Sequence, residues 1–254
     1  MRLTILGSGT SQGVLVIACD CEVCSSIHPK DKRSRSSILL ETGGKTIVID
    51  TGPDFRMQML RENVKDLDAV VYTHEHKDHV AGMDDIRAFN FKKGGGEMNI
   101  YASMRVQKAL HREFHYIFSG IHYPGLPQVK FHTIKNQEFK VAGVQFTPIE
   151  VLHYQLPVLG FRVGDMAYIT DANYISEKEK MKLKGLEVLV LNALRKKKHI
   201  SHFNLEEALA LITELKPKKA YLTHISHLMG KHAEVEKELP KQVFLAYDGL
   251  KISI

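Results

Sequence analysis

Three histidines and an aspartate lie within six residues, at His74, His76, Asp78 and His79. They follow residues 68–72, an apolar and β-branched run that predicts a buried strand. A loop at a strand end is where a rigid scaffold presents functional side chains. Imidazole and carboxylate groups are ligands that zinc, manganese and iron accept in proteins. The spacing therefore predicts a site in which the first two histidines bind one ion and the last two residues bind a second.

Three later residues supply the same kinds of ligand: His153, Asp171 and His224. Each comes at the end of an apolar run, so each is predicted to lie at a strand end. Together with the first motif they complete the coordination of two ions, and the carboxylate of Asp171 could bridge these ions. Two ions about 3.5–4 Å apart can share a hydroxide and hold both the attacking and the leaving oxygen of a substrate.

The three cysteines of the chain form a compact cluster at Cys19, Cys21 and Cys24. An odd, clustered set of cysteines in a chain expected to be cytosolic indicates metal binding rather than disulfides. Three thiolates need a fourth donor to close a structural zinc tetrahedron. The residues alone leave two candidates for that donor: His28, which is near in sequence, and His227, three residues after His224.

His202 lies just before a segment that is predicted to begin a helix, because Asn204 and Glu207 have the spacing of a capping box. A helix N-terminus attracts anions through its free N–H groups and its dipole. A histidine at this place could contact a phosphate and donate a proton to a departing alkoxide. The alternative is a histidine that only packs at the start of the helix.

The predicted elements are mostly short strands. Eleven are predicted, at residues 2–6, 37–41, 46–49, 69–72, 144–147, 159–163, 167–169, 187–191, 220–222, 243–246 and 251–253. Helices are predicted at residues 104–118, 176–185 and 205–215. Helices among strands in both halves indicate a layered α/β architecture. No repeat or low-complexity linker divides the chain, so we expect residues 1–254 to form a single domain.

The composition fits a globular protein, with 44% hydrophobic and 25% charged residues among 254. The formal net charge of +6 suits phosphate-bearing ligands but does not itself indicate nucleic-acid binding. No apolar run reaches the roughly 18–20 residues that a membrane span needs, and no signal region opens the chain. We therefore expect a soluble, cytoplasmic protein.

The histidine and aspartate pattern resembles the metallo-β-lactamase superfamily along the whole chain. The resemblance implies a four-layered αβ/βα sandwich with a dinuclear metal site at the edge between its two sheets. The implied ligands are His74, His76 and His153 for one ion, Asp78, His79 and His224 for the other, and Asp171 as the bridge.

One subgroup of the superfamily is more similar than the rest. The Gly-Thr-Ser-Gln-Gly opening at residues 9–13, the cysteine cluster and Thr-His-Ile-Ser-His at residues 223–227 resemble the PhnP-like cyclic phosphodiesterases. This resemblance implies a structural zinc on the three cysteines and His227. In phosphodiesterase branches of the superfamily, including ribonuclease Z, a histidine in this region donates a proton, and the resemblance implies this role for His202. In the mechanism that we expect, Asp78 ligates one ion and orients the nucleophile.

We therefore expect a hydrolase that cleaves small phosphodiesters, such as cyclic ribose or nucleotide phosphates, with two zinc or manganese ions. A ribonuclease Z-like nuclease, a glyoxalase-type thioesterase or lactonase, and a non-catalytic PqqB-like metal-binding protein are the alternatives. Ribonuclease Z should carry a long tRNA-binding arm between the positions of His153 and Asp171, and only 17 residues separate them here. No stable nucleic-acid complex and no membrane partner are expected, while a homodimer is an open option.

Overall fold

The computed structural model describes residues 1–120 and 125–254, which contain two β-sheets packed face to face. The first sheet, in spatial order, consists of β15 (Lys251–Ser253), β1 (Arg2–Gly7), β2 (Ser37–Thr42), β3 (Lys45–Ile49), β4 (Ala69–Val71), β5 (Met98–Ala102) and β6 (Val129–Thr133). The second consists of β11 (Tyr174–Ile175), β8 (Val144–His153), β9 (Leu156–Val163), β10 (Met166–Ile169), β12 (Val188–Asn192), β13 (Lys219–Thr223) and β14 (Val243–Leu245), with β7 (Phe139–Val141) paired to β8.

Helices cover the outer face of each sheet. Those on the first sheet are α1 (Phe55–Arg61), α3 (Arg87–Lys92) and α4 (Met104–Glu113), while α2 (Lys77–Val80) is a single turn inside the histidine motif. Those on the second sheet are α5 (Glu177–Met181), α6 (Leu205–Leu215) and α7 (His232–Glu238). The order of layers is thus helix, sheet, sheet, helix. The predicted four-layered αβ/βα sandwich is confirmed.

The layering explains why so many strands are continuously apolar. In β3, Ile47 and Ile49 pack between the two sheets, and Val48 points to the opposite face and packs under the helices. Successive side chains of a strand point to opposite faces, and here both faces are buried. A strand of this kind carries no polar residue in alternation, which makes it easy to recognise in the sequence.

All eleven predicted strands are present, although several begin or end a few residues away from the predicted bounds. Four strands were missed, namely β5, β6, β7 and β11. β5 and β6 include polar residues such as Asn99 and His132, whose side chains bond to each other at the edge of the first sheet. Polar side chains interrupt the apolar signal, and β7 and β11 have only three and two residues.

The helix predictions were right in place and less accurate in length. α6 begins with the predicted capping box, because Glu207 N donates to Asn204 Oδ1 at 2.8 Å and Asn204 N donates to Glu207 Oε2 at 3.0 Å. The helix predicted to reach residue 118 ends at Glu113, and a 3-10 turn follows. α5 ends at Met181 rather than near residue 185, and the sequence analysis missed α1, α2, α3 and α7.

Parallel strand pairs predominate next to the edge at which the predicted ligands lie. In the first sheet β3, β4, β5 and β6 are parallel neighbours, and in the second β10, β12, β13 and β14 are parallel neighbours. The carboxyl ends of parallel strands meet at one edge of a sheet, which is where α/β proteins bind ligands. In residues 1–120 and 125–254, no helix has the length and apolar character needed to cross a membrane.

Candidate metal centre

The predicted ligands gather at the carboxyl edges of both sheets. His74 is the third residue after β4, Asp171 is the second residue after β10, and His224 directly follows β13. His153 is the last residue of β8. Each sheet therefore contributes ligands to one place, and the rigid strands fix the position at which each side chain begins.

Three residues at this edge adopt the left-handed backbone conformation that favours glycine. Asp50, Asp171 and His224 have φ angles of 65°, 57° and 55°. Such conformations cost free energy in residues with a Cβ, and they concentrate at functional sites. All three residues lie at or just after the end of a strand, where the chain leaves the sheet.

One group of four ligands is closely packed. The ligand atoms of Asp78, His79, Asp171 and His224 all lie within 4.8 Å of one another. His79 Nε2 is 3.2 Å from Asp78 Oδ2 and 3.1 Å from Asp171 Oδ2, while His224 Nδ1 is 3.2 Å from Asp171 Oδ2. Two carboxylates and two imidazoles converging in this way are chemically suited to a divalent ion.

The other predicted ligands lie beside this group. His74 Nε2 is 3.1 Å from His76 Nδ1, and the ring centroids of His76 and His153 are 5.1 Å apart. A second candidate ligand group contains His153, Asp171 and His202, also within 4.8 Å of one another. Asp171 therefore belongs to both groups, which is the placement that a bridging carboxylate requires. The position of His202 among possible ligands was not anticipated from the sequence.

Hydrogen bonds from outside the cluster orient several of its imidazoles. His79 Nδ1 lies 2.8 Å from Asp50 Oδ2, and Asp50 is itself held by the backbone N–H and the hydroxyl of Thr73. His153 Nδ1 donates to the carbonyl of Ser201 at 2.8 Å. Such partners fix the orientation and tautomer of a ligating histidine. The sequence analysis missed Asp50, although an aspartate directly after the apolar strand β3 was a usable signal.

His224 has a similar partner, again from outside the predicted ligand set. Its Nε2 lies 3.1 Å from the hydroxyl of Thr10, which belongs to the Gly-Thr-Ser-Gln-Gly segment near the N-terminus. The backbone N–H of Thr10 also donates to the carbonyl of Ile225 at 3.1 Å, and the N–H of Ile225 donates to the carbonyl of Ser8 at 2.9 Å. The N-terminal segment therefore helps to position a ligand contributed by β13, more than 200 residues away.

The electrostatics of the cluster favour a bound cation. Burial alone would lower the pKa of His79, but the carboxylates of Asp78, Asp171 and Asp50 outweigh burial and raise this pKa well above its ordinary value. His79 Nε2 is also buried without a hydrogen-bond partner. A divalent ion can replace the proton as the counter-charge for these carboxylates. The residues present therefore fit a metal ion.

His202 lies against the ligands and is largely buried. Its ring centroid is 4.5 Å from that of His153 and 4.8 Å from that of His224, and its Nδ1 is 3.7 Å from Asp171 Oδ1. Among residues 1–120 and 125–254, that Nδ1 atom has no hydrogen-bond partner. Burial, followed by the charge of His224, lowers the pKa of His202 to about 3. His202 is therefore a neutral imidazole at physiological pH.

The cysteine cluster forms a separate group of four donors. His227 Nδ1 lies 3.3 Å from the Sγ atoms of Cys19 and Cys21, and 3.5 Å from that of Cys24. His28, the other candidate, instead accepts a hydrogen bond from the backbone of Lys30 at a 3-10 turn. Between the two histidines, the geometry thus leaves His227 as the fourth donor of a tetrahedral site.

The thiols of this group differ in how readily they ionise. A hydrogen bond from the backbone of Cys24 is the main reason that the pKa of Cys21 falls to about 6. Burial raises the pKa of Cys24 to about 11. A thiolate at Cys21 gives the group a metal-binding form near neutral pH, and a bound ion would deprotonate the remaining thiols.

A cavity of about 440 Å³ opens beside the candidate metal centre. It is lined by the predicted ligands His76 and His153 and by Tyr154, Gln155 and Leu156. A cavity of similar volume between α1 and α3 contains none of the predicted ligands. Cavity size therefore does not locate the site in this molecule, and the convergence of ligands does.

A family model for the β-lactamase superfamily domain matches residues 45–225. The chain therefore belongs to the metallo-β-lactamase superfamily. Within the superfamily the chain is PhnP-like. It aligns over its full length with the crystal structure of "a new diphosphatase from the PhnP family", at 42% sequence identity and a TM-score of 0.93, covering 97% of that chain. The family resemblance predicted from the motifs is confirmed.

Two sequence relatives differ in how much of each chain is shared. An octanoyltransferase of Porphyromonas gingivalis is 40% identical over 257 residues, which cover 100% of this chain and 52% of the relative. The chain thus spans about half the length of that curated relative. A ribonuclease Z of Bradyrhizobium diazoefficiens is 39% identical over 61 residues, covering 23% of this chain and 20% of that enzyme.

Proposed function

We propose that the protein hydrolyses small phosphodiesters, with cyclic phosphates of ribose or nucleotides as the substrate class. The observation that carries the proposal is the position of His202, which lies against the ligand cluster with a buried Nδ1 that no other group uses. A thioesterase expels a thiolate, which departs without a proton, so it does not need this histidine. The likeness to a diphosphatase of the PhnP family supports chemistry at phosphorus.

The predicted ligands would hold two divalent ions, zinc or manganese, which when bound supply Lewis acidity and an ionised water near neutral pH. The side chain of Asp78 is 11% exposed, while those of His79 and Asp171 are 0% and 3% exposed. Asp78 is thus the carboxylate in this group that water reaches most easily. We assign it the role of orienting the attacking water against the phosphorus atom.

His202 is assigned the transfer of a proton to the departing oxygen. The neutral ring must first gain that proton, and burial opposes the gain because it lowers the pKa of His202. A phosphodiester anion bound beside the ring adds a negative charge, which favours the imidazolium form. Substrate binding would therefore favour protonation of His202, whereas His202 of the free protein would stay neutral.

Replacing His202 tests the proposal. His202→Ala should lower turnover of a 2′,3′-cyclic nucleotide by roughly 10²–10⁴-fold, the usual contribution of a general acid, while both ions stay bound. A p-nitrophenyl diester should be much less affected, because p-nitrophenolate leaves without a proton. His199→Ala is the matched control, since His199 lies in the same loop with its ring centroid 5.3 Å from that of His202. Full turnover of the cyclic nucleotide by His202→Ala would refute the assignment.

A second candidate is hydrolysis of a phosphoanhydride, which the description of the PhnP-family diphosphatase favours. A phosphate leaving group departs without a proton, so the activity on a diphosphate should depend only weakly on His202. Measuring a diphosphate and a cyclic diester with the same His202→Ala preparation separates the two candidates. Loss confined to the diester would identify it as the reaction that uses His202.

The remaining alternatives make different demands on the chain. The 17 residues between His153 and Asp171 contain the whole of β9 and β10, so this part of the structure has no arm for tRNA. Acyl transfer is named only for the P. gingivalis relative, about half of which lies outside the match. A panel of phosphodiesters, a thioester and a lactone, each tried with Zn²⁺ and Mn²⁺, would distinguish these activities. No turnover of any member would favour a PqqB-like binding role.

A further inference from the structure

The turn between β8 and β9 has an unexpected residue at its first position. β8 ends at His153 and β9 begins at Leu156, and these two residues pair, so Tyr154 and Gln155 form a two-residue hairpin loop. Tyr154 has a φ angle of 57°. The first position of a two-residue hairpin with positive φ is one where Gly, Asn or Asp is preferred. A tyrosine there is strained by its own Cβ.

Surrounding contacts hold this conformation in place. The backbone N–H of Tyr154 donates to Asn173 Oδ1 at 2.6 Å, and Asn173 lies two residues after the predicted bridging ligand Asp171. The hairpin is thus fixed to the same segment that carries a metal ligand. Local strain that the neighbouring structure enforces is typical of functional positions. The hairpin does not need an aromatic side chain to fold, so the turn itself does not explain why a tyrosine is here.

The side chain of Tyr154 has no packing role that explains the strain. It is 52% exposed, although tyrosine is a large and partly apolar residue. It lines the cavity of about 440 Å³ together with His76 and His153, so an occupant of the cavity would contact both the ring and the metal centre. Gln155 adds an amide to the same wall, and Leu156 adds an apolar surface.

We propose that Tyr154 is a specificity-determining residue whose ring stacks on a nucleobase of the substrate. The inference rests on the proposed phosphodiester hydrolysis, because the phosphate must lie at the ions for the base to reach the hairpin. A planar aromatic base fits the face of an exposed tyrosine, and the amide of Gln155 can both donate to and accept from the edge of a base. The cavity selects nucleotides over bare sugar phosphates.

The test compares two cyclic diesters that share the reacting ring: 2′,3′-cyclic AMP, and ethylene phosphate, which has no base. Tyr154→Ala should lower kcat/KM for 2′,3′-cyclic AMP by about 10–100-fold, which is the usual effect of losing one stacking contact. Most of that loss should appear in KM. Ethylene phosphate should change by less than about twofold. Tyr154→Phe keeps the stacking face and should behave as the original protein does.

Two further variants separate recognition from folding. Tyr154→Gly relieves the strain at positive φ, so its Tm should equal or exceed that of the original protein. Its preference for 2′,3′-cyclic AMP over ethylene phosphate should nevertheless be lost. Tyr174→Ala is the matched control, because Tyr174 is 54% exposed on the neighbouring strand β11 and does not line the cavity. An equal loss on both diesters, or an undiminished preference in Tyr154→Ala, would overturn the inference.

If the proposed function is wrong, the unaltered protein hydrolyses neither diester. The inference about Tyr154 is then decided by calorimetric binding of AMP to the zinc-loaded protein. Tyr154→Ala must weaken this binding by about tenfold or more relative to Tyr174→Ala, and binding of equal strength, or no binding to the unaltered protein, would overturn it.

Discussion

The imidazole of His79 donates from Nδ1 to Asp50 Oδ2 across 2.8 Å, and both side chains are fully inaccessible to solvent. This contact leaves His79 Nε2 free to face the carboxylates of Asp78 and Asp171. A carboxylate behind a histidine raises the basicity of that histidine as a ligand and fixes its orientation. The pair therefore links the end of β3 to the candidate metal centre.

Removing the carboxylate behind His79 should weaken metal binding. We expect Asp50→Asn to lower the affinity for one active-site ion by about 10–100-fold, because the amide cannot stabilise the ligand as the carboxylate does. Competition with a chromophoric chelator measures the affinity. Asp68→Asn is the control, since Asp68 pairs with Lys45 far from the ligands and is partly exposed. Equal affinities in the two variants would show that the contact has no part in metal binding.

A close approach of backbone to backbone at Gly52 supports the histidine motif. A Cβ at Gly52 would lie 2.1 Å from the carbonyl oxygen of Asp78, so Gly52→Ala forces the motif to move. We expect it to cost about 1–3 kcal/mol or more, as overpacking does, and to lower the metal content as well. Thermal melts and metal analysis measure the two effects. Gly96→Ala should have neither effect, because its nearest neighbour would be 3.6 Å away.

The cysteine cluster should bind one ion that is held more firmly than the others. We predict about three ions per purified chain, one of which survives mild chelation because four protein ligands enclose it. Cys21→Ser should remove that ion alone and lower the Tm by about 5 °C or more, since 1 kcal/mol corresponds to roughly 2–4 °C in a domain of this size. His28→Ala should keep the full complement. Loss of the ion in His28→Ala, with retention in His227→Ala, would reverse the assignment of the fourth donor.

Acidification should destabilise the protein through His232. Its Nδ1 lies 3.1 Å from Arg33 Nη2 and its Nε2 lies 3.0 Å from Glu236 Oε2. Burial, and next the charge of Arg33, lower the pKa of His232 to about 4 from 6.5. Between these values the unfolded chain binds a proton that the folded chain does not, so the free energy of unfolding decreases as the pH falls from 6.5 to 4.

Chemical denaturation at a series of pH values measures this contribution. His232→Gln can accept from Arg33 and donate to Glu236 but does not titrate, so its stability should fall less steeply between pH 6.5 and 4. His28 is exposed, so the free energy of unfolding of His28→Gln should depend on pH as steeply as that of the original protein. Parallel curves for the original protein and His232→Gln would show that His232 contributes nothing to acid sensitivity.

Much of the fold could be predicted because its strands are buried on two faces. β3, β4 and β12 are nearly continuous runs of Ile, Val and Leu, and such runs need no knowledge of their neighbours to be recognised. β6 was not recognisable in the same way. It lies at the edge of its sheet, alternates polar with apolar residues, and is only partly buried. β6 is a strand because it pairs with β5, and that pairing cannot be recognised from the local sequence.

The predicted ligands share one signature, a metal-binding side chain at the end of an apolar strand, and this signature brought His74, Asp171 and His224 to notice. Asp50, which supports His79, shares this signature, but supporting contacts from the backbone do not. The partner of His153 is the backbone carbonyl of Ser201, and any residue type can supply a carbonyl. The resemblance implied His227, but the residues alone did not decide between His28 and His227, because that choice depends on which loop lies beside the cysteines in the folded chain.

The candidate ligands are divided between the two halves of the chain. Four lie in the six-residue segment 74–79 after β4 of the first sheet, and three lie at or just after the ends of strands in the second sheet. The cysteines near the N-terminus lie beside His227, which comes late in the sequence. Neither half on its own can therefore coordinate an ion fully. During synthesis both centres stay incomplete until the ribosome has added the segment that carries His224 and His227. Ions that these residues hold would therefore be enclosed only after most of the chain has been synthesised.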